Sequence, residues 1–499
     1  MDKLDRSHAF ASPALYTTVT HDNSADFILP EYMSPIRRVV SVEASPLPES
    51  RFQSGTALEL GGTLAFRVLY IGEDSTLNCA SVTTEYIASC SLGDVQIPDA
   101  SRIGVDTTAE NVSCRVTGPR AFSLRTRMKT ALLHLHHRSA EESALDTAGI
   151  RLSPQEEQSI ERQSKTSCDV HLSRGEVTCT ASGSLRLTPE TKVIRAAGSV
   201  RVEEARAQAG EVLARGETIL HVLTLSPDGR FITVESRVPF SETIPVSDAA
   251  SGAEARAWGR SASVILRPGE TETAWEIEYD LEAETALSEE KTYTSDAYST
   301  AFASETESET MDSLHLLRCG VSALTVTGES GRQSKASPVE SVIDTCAVAS
   351  ADHVEMRDGK LILHGIAAVS VLLTGNGDVV SEEFTLPFRC EMNARSGEGT
   401  DLISRCSVEV ISASARPEGE KLAVTLDLCI SITAMSRSVI HPVKKITVNR
   451  AEPQKRREGS VRLCFPEPGE PVWEIAKRYA VRRSALTDAE VSDGSPMIV

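Results

Sequence analysis

Leu422-Ala423-Val424-Thr425-Leu426-Asp427-Leu428-Cys429-Ile430 decides the fold class, because apolar side chains recur at nearly every second position. A period of two places one face in a core and the other in water, which describes a half-buried strand. Trp275-Glu276-Ile277-Glu278-Tyr279-Asp280-Leu281 has the same alternation. Arg267-Pro268-Gly269-Glu270 and Arg416-Pro417-Glu418-Gly419-Glu420 lie between such stretches and read as tight hairpin connections. Strands joined by hairpins form antiparallel sheets. The expected architecture is therefore mainly β, in antiparallel β-sandwich or small-barrel units.

The pattern occurs three times. Gly62-TLAFRVLYIGED, Gly216-ETILHVLTLSPDG and Gly365-IAAVSVLLTGNGD each run from a glycine through a strand to a turn. Their glycines are 154 and 149 residues apart. A chain of 499 residues, at roughly 150 per domain, also predicts three domains with a little left over. Each turn is followed by a second strand. Pro239-Phe240 and Pro387-Phe388 fall at the same place in copies two and three, whereas copy one lacks the pair and has Glu85-Tyr86 nearby. The expected units are residues 26–138, 166–290 and 314–448. Between them lie a polar linker or helical segment at 139–165 and an acidic flexible linker at 291–313. The latter is Ser/Thr-rich and short of large apolar side chains, which predicts mobility. A basic linker at 449–460 leads to a terminal module at 461–499.

Lys and Arg number 51 against 71 Asp and Glu, a formal net charge of -20, so general nucleic-acid binding is excluded. Residues 437–483 reverse the sign, with twelve basic residues against five glutamates. An acidic body and a basic tail allow end-to-end self-association. Eleven cysteines without a CxxC pair read as free thiols in a reducing compartment. No signal-peptide pattern and no apolar run of roughly 20 residues is present, so the expected protein is cytoplasmic with no membrane span.

Little chemistry is legible. His134 and His136 share a strand face beside His137, but nothing near them has metal-ligand spacing. Glu276 with Glu278, and Glu282 with Glu284, read as a solvated sheet face rather than a catalytic dyad. Gly72-Glu73-Asp74 and Gly375-Asn376-Gly377-Asp378 lack the ending of a phosphate loop. No catalytic, cofactor-binding or metal-ligating residue is assigned, and no enzyme is expected.

The C-terminus changes character. Pro471 opens a stretch in which Trp473, Ala476 and Tyr479 recur at helical spacing, an amphipathic helix of two to three turns. Ala485 and Leu486 start a second short helix, and Pro496-Met497-Ile498-Val499 a returning strand. Arg478, Arg482 and Arg483 need no burial. With Trp473 and Tyr479 they are the candidate partner-binding residues.

PGEPVWEIAKRYAVRRSAL resembles the first half of a lysin motif (LysM), matched at Gly469, Glu470, Trp473, Ile475, Ala476 and Tyr479. That family implies a β-α-α-β fold and binding of N-acetylglucosamine glycans. Where the family has a Leu-Asn pair this chain has Ala489-Glu490, and the last stretch is shortened to VSDGSPMIV. DFILPEYMSPIRRVV at 26–40, FRVLYIGED at 66–74 and the repeated units resemble the domain of unknown function that precedes a lysin motif in SipL-like clostridial sporulation proteins. The resemblance implies a non-enzymatic scaffold in spore coat or envelope assembly, in the mother-cell cytoplasm at the forespore surface. Its partner would be a spore-coat morphogenetic protein, the coat-basement ATPase. The alternative is a peptidoglycan-binding protein acting through the lysin-like module.

Overall fold

A computed structural model of the chain describes residues 7–47, 50–92, 97, 103–141, 143–146, 150–187, 190–331, 340–375, 378–397, 399, 401–454, 463–464, 466–467, 469–486 and 497–498. The chain is mainly β. Its first unit contains β1 (Ser7–Ile28), β2 (Ile36–Pro46), β3 (Ser50–Ser54), β4 (Ala57–Gly72), β5 (Leu77–Ser91), β6 (Gly104–Gly118) and β7 (Ala121–Glu141). After β8 (Ser143–Asp146) and the short helix α1 (Pro154–Glu157), the second unit runs through β9 (Ile160–Leu185), β10 (Lys192–Gln208), β11 (Glu211–Leu225), β12 (Phe231–Pro245), β13 (Glu254–Pro268) and β14 (Thr273–Ser299). β15 (Phe302–Ser308) leads to the third unit. It comprises β16 (Met311–Gly331), β17 (Ser341–Arg357), β18 (Lys360–Gly375), β19 (Asp378–Asn393), β20 (Asp401–Glu418) and β21 (Lys421–Ile440). β22 (Val443–Pro453), β23 (Leu463–Cys464), α2 (Val472–Tyr479) and β24 (Met497–Ile498) complete the chain.

All three units share one topology. The first, last and penultimate strands form one antiparallel sheet: β1-β7-β6, β9-β14-β13 and β16-β21-β20. The remaining strands form a second: β2-β4-β5, β10-β11-β12 and β17-β18-β19, with β3 added in the first unit. In units two and three each pair of sheets encloses an apolar cluster, around Trp275, Ile277 and Leu220 in one and Leu363, Val371 and Leu426 in the other. The first unit splits its core in two, around Phe66 with Phe122 and around Leu58 with Leu132.

The repeated glycine has a packing cause. Gly62, Gly216 and Gly365 lie opposite Tyr86, Phe240 and Phe388 on the neighbouring strand. A Cβ on Gly62 would lie 2.6 Å from the Tyr86 hydroxyl, and one on Gly365 would lie 2.2 Å from the Phe388 ring. The ring occupies the volume of the missing side chain. Tyr86 thus holds in copy one the place that Phe240 and Phe388 hold in the others.

The units close into a ring around a pseudo-threefold axis. The last strand of each second sheet lies against the first strand of the next unit's second sheet: β5 on β10, β12 on β17 and β19 on β2. Each joint has a hydrogen bond: Lys192 Nζ to Asn78 Oδ1 at 3.0 Å, Thr233 Oγ1 to the Ile343 carbonyl at 3.3 Å, and Arg38 Nη2 to the Val379 carbonyl. At one end of the axis Leu69, Leu223 and Leu372, each seven residues beyond its unit's glycine, meet in one buried cluster. Toward the other end β1, β9 and β16 converge on a second, with Ala11, Val170, Leu314 and Met435.

The described residues between units form strands and one short helix. Residues 291–313, expected as a flexible linker, are the end of β14, all of β15 and the start of β16. Tyr293, Ala297, Tyr298 and Met311 are buried there, so the stretch has the apolar anchors that its acidic composition conceals. In the 139–165 segment β7 continues to Glu141, β8 follows, and β9 begins at Ile160. A Ser153–Glu156 capping box starts α1, and Arg450 Nη2 donates to Glu156 Oε2 at 2.8 Å. Residues 449–453 belong to β22, whereas 455–460 of the expected basic linker lie outside the described residues. β15, β22 and β8 pair with one another as a small sheet, in which β22 and β8 run parallel. The first unit also reaches back to Ser7 rather than starting at 26. β1 is rich in Thr, Ser and Asp and half-buried along most of its length, so it carries little apolar signal.

A layer of buried charge crosses the axis. Counting from the β-bulges in β6, β13 and β20, Gly104, Arg256 and Arg405 are equivalent positions, paired with Leu133, Glu284 and Thr433. Glu284 accepts from Arg256 Nε at 3.0 Å, Arg174 Nε at 3.0 Å, Arg405 Nη2 at 2.6 Å and the Thr433 hydroxyl. Asp106 forms an ion pair with Arg405 at 2.6 Å. Arg256 also lies over the Trp258 ring, 4.5 Å from its centroid. A Cβ on Gly104 would fall 1.3 Å from Arg405 Nη1, so the first unit makes room for the third unit's arginine by having no side chain. Burial alone would raise the Glu284 carboxyl. Arg256, Arg405 and Arg174 override it and hold the group far below the usual carboxylate range. Glu284, expected on a solvated face, is thus buried, because β14 is covered on both faces where the units meet.

Glu284→Gln keeps the shape and removes the charge that three guanidinium groups face. Breaking such a network costs about 3–5 kcal/mol, and we expect a matching fall in the urea midpoint at pH 7. The depressed carboxyl contributes fully above its unfolded value of about 4.3 and loses that contribution as pH falls below it. The midpoints of wild type and variant should therefore converge on acidification.

Candidate functional site

Two places are candidates: the terminal module and a cavity on the axis. In the module, β23 pairs antiparallel with β24, and α2 lies between them in sequence. A left-handed Ala480 ends α2 at φ 50°. The second helix expected there is a 3₁₀ turn, Arg483–Ala485, and residues 487–496 lie outside the described set. Ile475 and Ala476 are buried with Trp473 in the module's small core.

That core includes Tyr298 from the end of β14. Trp473 packs edge-on against the Tyr298 ring at 5.0 Å between centroids, and its Nε1 donates to Asp296 Oδ2 at 2.8 Å. Lys477 Nζ lies 2.8 and 2.7 Å from the two Asp296 oxygens, and the Tyr298 hydroxyl donates to the Val481 carbonyl at 2.7 Å. The helix is therefore docked on the second unit. Trp473, 5 % exposed, is occupied by this contact rather than presented to a partner. Tyr479 is half-buried beside Cys464, whose hydrogen bond raises its phenol. Arg478 is exposed and paired with Glu470, while Arg482 and Arg483 are exposed at the 3₁₀ turn. Of the five candidates, the three arginines form the outward face.

The cavity has a volume of about 310 Å³. It is lined by equivalent segments of all three units: Thr107–Ala109, Gly259–Ser261 and Val408–Val410 on β6, β13 and β20, and the residues around Glu43, Arg195 and Asp344 on β2, β10 and β17. Arg195 is equivalent to Ser41 and Asp344, since these three pair with Leu223, Leu69 and Leu372. Its guanidinium bridges the other two units. Nη2 lies 2.6 Å from Asp344 Oδ2, and Nη1 contacts Glu43 and lies 2.6 Å from Cys346 Sγ.

Electrostatics separates these groups. Burial raises Asp344, and Arg195 only partly offsets it. Burial would raise Glu43 too, but Arg195 and Arg67 together pull it below its ordinary value. Burial raises Glu409 against the pull of Arg260, and lowers His221, whose Nε2 meets the Ile411 carbonyl at 3.2 Å. The Cys346 thiol is pushed well up by burial and by Glu43, so it is no nucleophile at neutral pH. A polar space with shifted carboxyls suits water or a small polar ligand. Its charges are engaged chiefly in joining units.

Sequence reasoning missed this place entirely. Arg195 lies 152 positions from Glu43 and 149 from Asp344, and only the ring brings them together. All eleven cysteines are free, none of them in a disulfide. His134 is buried and His136 exposed, and the two do not form a ligand set. Among the described residues, the side chains whose geometry can hold a metal are His137, Asp169 and His171. No described helix is long and apolar enough to cross a membrane. No family model, no curated protein and no solved structure matches the chain.

Arg195→Met leaves Glu43 and Asp344 buried together without their shared cation. Both carboxyls then favour the protonated form in the folded state, so stability falls as pH rises through the carboxylate range. We expect a destabilisation of about 3 kcal/mol or more at pH 7. The loss should be smaller at pH 5, measured as urea midpoints against wild type.

Proposed function

We propose that the chain is a non-enzymatic scaffold or adaptor in spore coat or spore envelope morphogenesis, recruiting a protein partner through its C-terminal module. The observation that carries this reading is the orientation of the module. Its aromatic face is taken up by Tyr298 and Asp296 of the same chain, while Arg478, Arg482 and Arg483 are exposed on a docked, oriented element. A basic face set on an acidic ring suits an acidic protein surface, which it steers by charge. The resemblance of PGEPVWEIAKRY to a lysin motif, and of the repeated units to SipL-like sporulation proteins, supplies the partner class: the coat-basement ATPase, in the mother-cell cytoplasm at the forespore surface. The module is then a lysin-motif-like fold with its second helix reduced, serving protein contact.

The purified ATPase titrated calorimetrically with the full chain should bind. Arg482→Glu combined with Arg483→Glu should weaken binding at least tenfold while the melting temperature holds. A chain ending at Gln454, which retains β22, should not bind. Unchanged affinity in the double variant sinks the basic-face reading. Cosedimentation of the full chain with purified peptidoglycan, abolished by the same truncation, moves the assignment to glycan binding.

A further inference from the structure

We propose that His137, His171 and Asp169 form a binding site for a divalent transition metal of the zinc class, at the joint between the first and second units. The Asp169 side chain is fully buried on β9. Its Oδ1 is fixed by the backbone N–H groups of Ala11, at 2.7 Å, and Val170, at 3.0 Å. That leaves Oδ2 aimed at two imidazoles. His171 Nε2 from the second unit lies 3.1 Å away, and His137 Nε2 from the first lies 3.7 Å away. The two rings stack at 4.2 Å between centroids, 10° from parallel, with both Nε2 atoms on the Asp169 side. His137 Nε2 is buried and makes no hydrogen bond.

The spacing matches a coordination shell. Ligand atoms about 2.0–2.1 Å from a tetrahedral zinc ion lie roughly 3.3 Å from one another. Here all three ligand atoms lie within 4.8 Å of one another. Two imidazoles and one carboxylate select zinc, cobalt or nickel over magnesium and calcium, which prefer oxygen alone. The two N–H groups on Oδ1 are the kind of outer support that orients a ligating carboxylate. Glu289 Oε2, 3.9 Å from His171 Nε2 and half exposed, is placed to supply a fourth ligand; water is the alternative.

One cation already stands there. Lys291 Nζ is 2.5 Å from Asp169 Oδ2. Its side chain is 28 % exposed, so the ammonium can turn outward and yield the oxygen to a metal. His171, 38 % exposed, gives the ion a path from solvent. Lys291 is therefore a competitor for the site, and the metal a clamp between β7 of one unit and β9 of the next.

The full chain, stripped with chelator, is titrated with Zn²⁺ by calorimetry and with Co²⁺ by visible absorption. One equivalent should bind, with the Co²⁺ spectrum of a nitrogen and oxygen site and a rise in melting temperature. His171→Ala should lower the affinity at least tenfold and abolish that rise, and Lys291→Met should tighten binding. His137→Ala should act as His171→Ala does. If that variant does not fold, His171→Ala and Lys291→Met still decide, because their side chains are partly exposed. Absence of stoichiometric binding overturns the proposal. So does equal affinity in wild type and His171→Ala, or a thiolate-type Co²⁺ spectrum, since either puts the ion on the cysteines.

Discussion

Everything in the ring depends on how Glu284 is neutralised. It is one carboxylate facing three guanidinium groups, with Asp106 as the second acid. A buried ion network of this kind is weak as a source of stability compared with well-packed apolar groups. Its value lies in what it forbids. Each arginine comes from a fixed place, Arg174 and Arg256 from the second unit and Arg405 from the third, and a misplaced unit would leave a charge alone in a dry interior. Apolar clusters at either end of the axis favour association of any three such units, whereas the charge layer accepts one order.

This explains why a threefold architecture is written as one chain. Three identical units would bring three identical side chains to the axis, and three arginines there would repel. Here the equivalent positions have diverged to Gly104, Arg256 and Arg405 in one layer, and to Ser41, Arg195 and Asp344 in another. In the second layer a small residue, a cation and its counterpart fill the space, and in the first the glycine makes room for arginines that Glu284 and Asp106 neutralise. Positions away from the axis stayed alike: the glycine with an aromatic ring over it recurs in all three copies.

The same division sets what was legible in the sequence. Strand alternation and the glycine repeat are local signals, so the three units, their antiparallel hairpins and the free thiols could be read directly. Contacts between units at the axis join residues more than a hundred positions apart, and nothing local marks them. Glu284 sits among glutamates that do face water, and only the neighbouring units make it a buried group. His137 and Asp169 lie on separate units, so the spacing rules that find metal ligands within one motif pass over them. The acidic stretch after residue 290 misled for a further reason: Tyr293 and Tyr298 are too sparse to score as a strand, yet each meets a ready partner surface.

That stretch also ties the ring to the terminal module. Asp296 and Tyr298 come from the extension of β14 beyond the second unit's own core, and they hold Trp473, Lys477 and Val481. A module of under forty residues has little core of its own, and here it borrows an aromatic ring and a carboxylate from a body of over four hundred. The loan fixes which face points outward. An isolated helix such as α2 could present its aromatic side to a ligand. Docked on β14 that side is covered, and the side chains left exposed are the basic Arg478, Arg482 and Arg483.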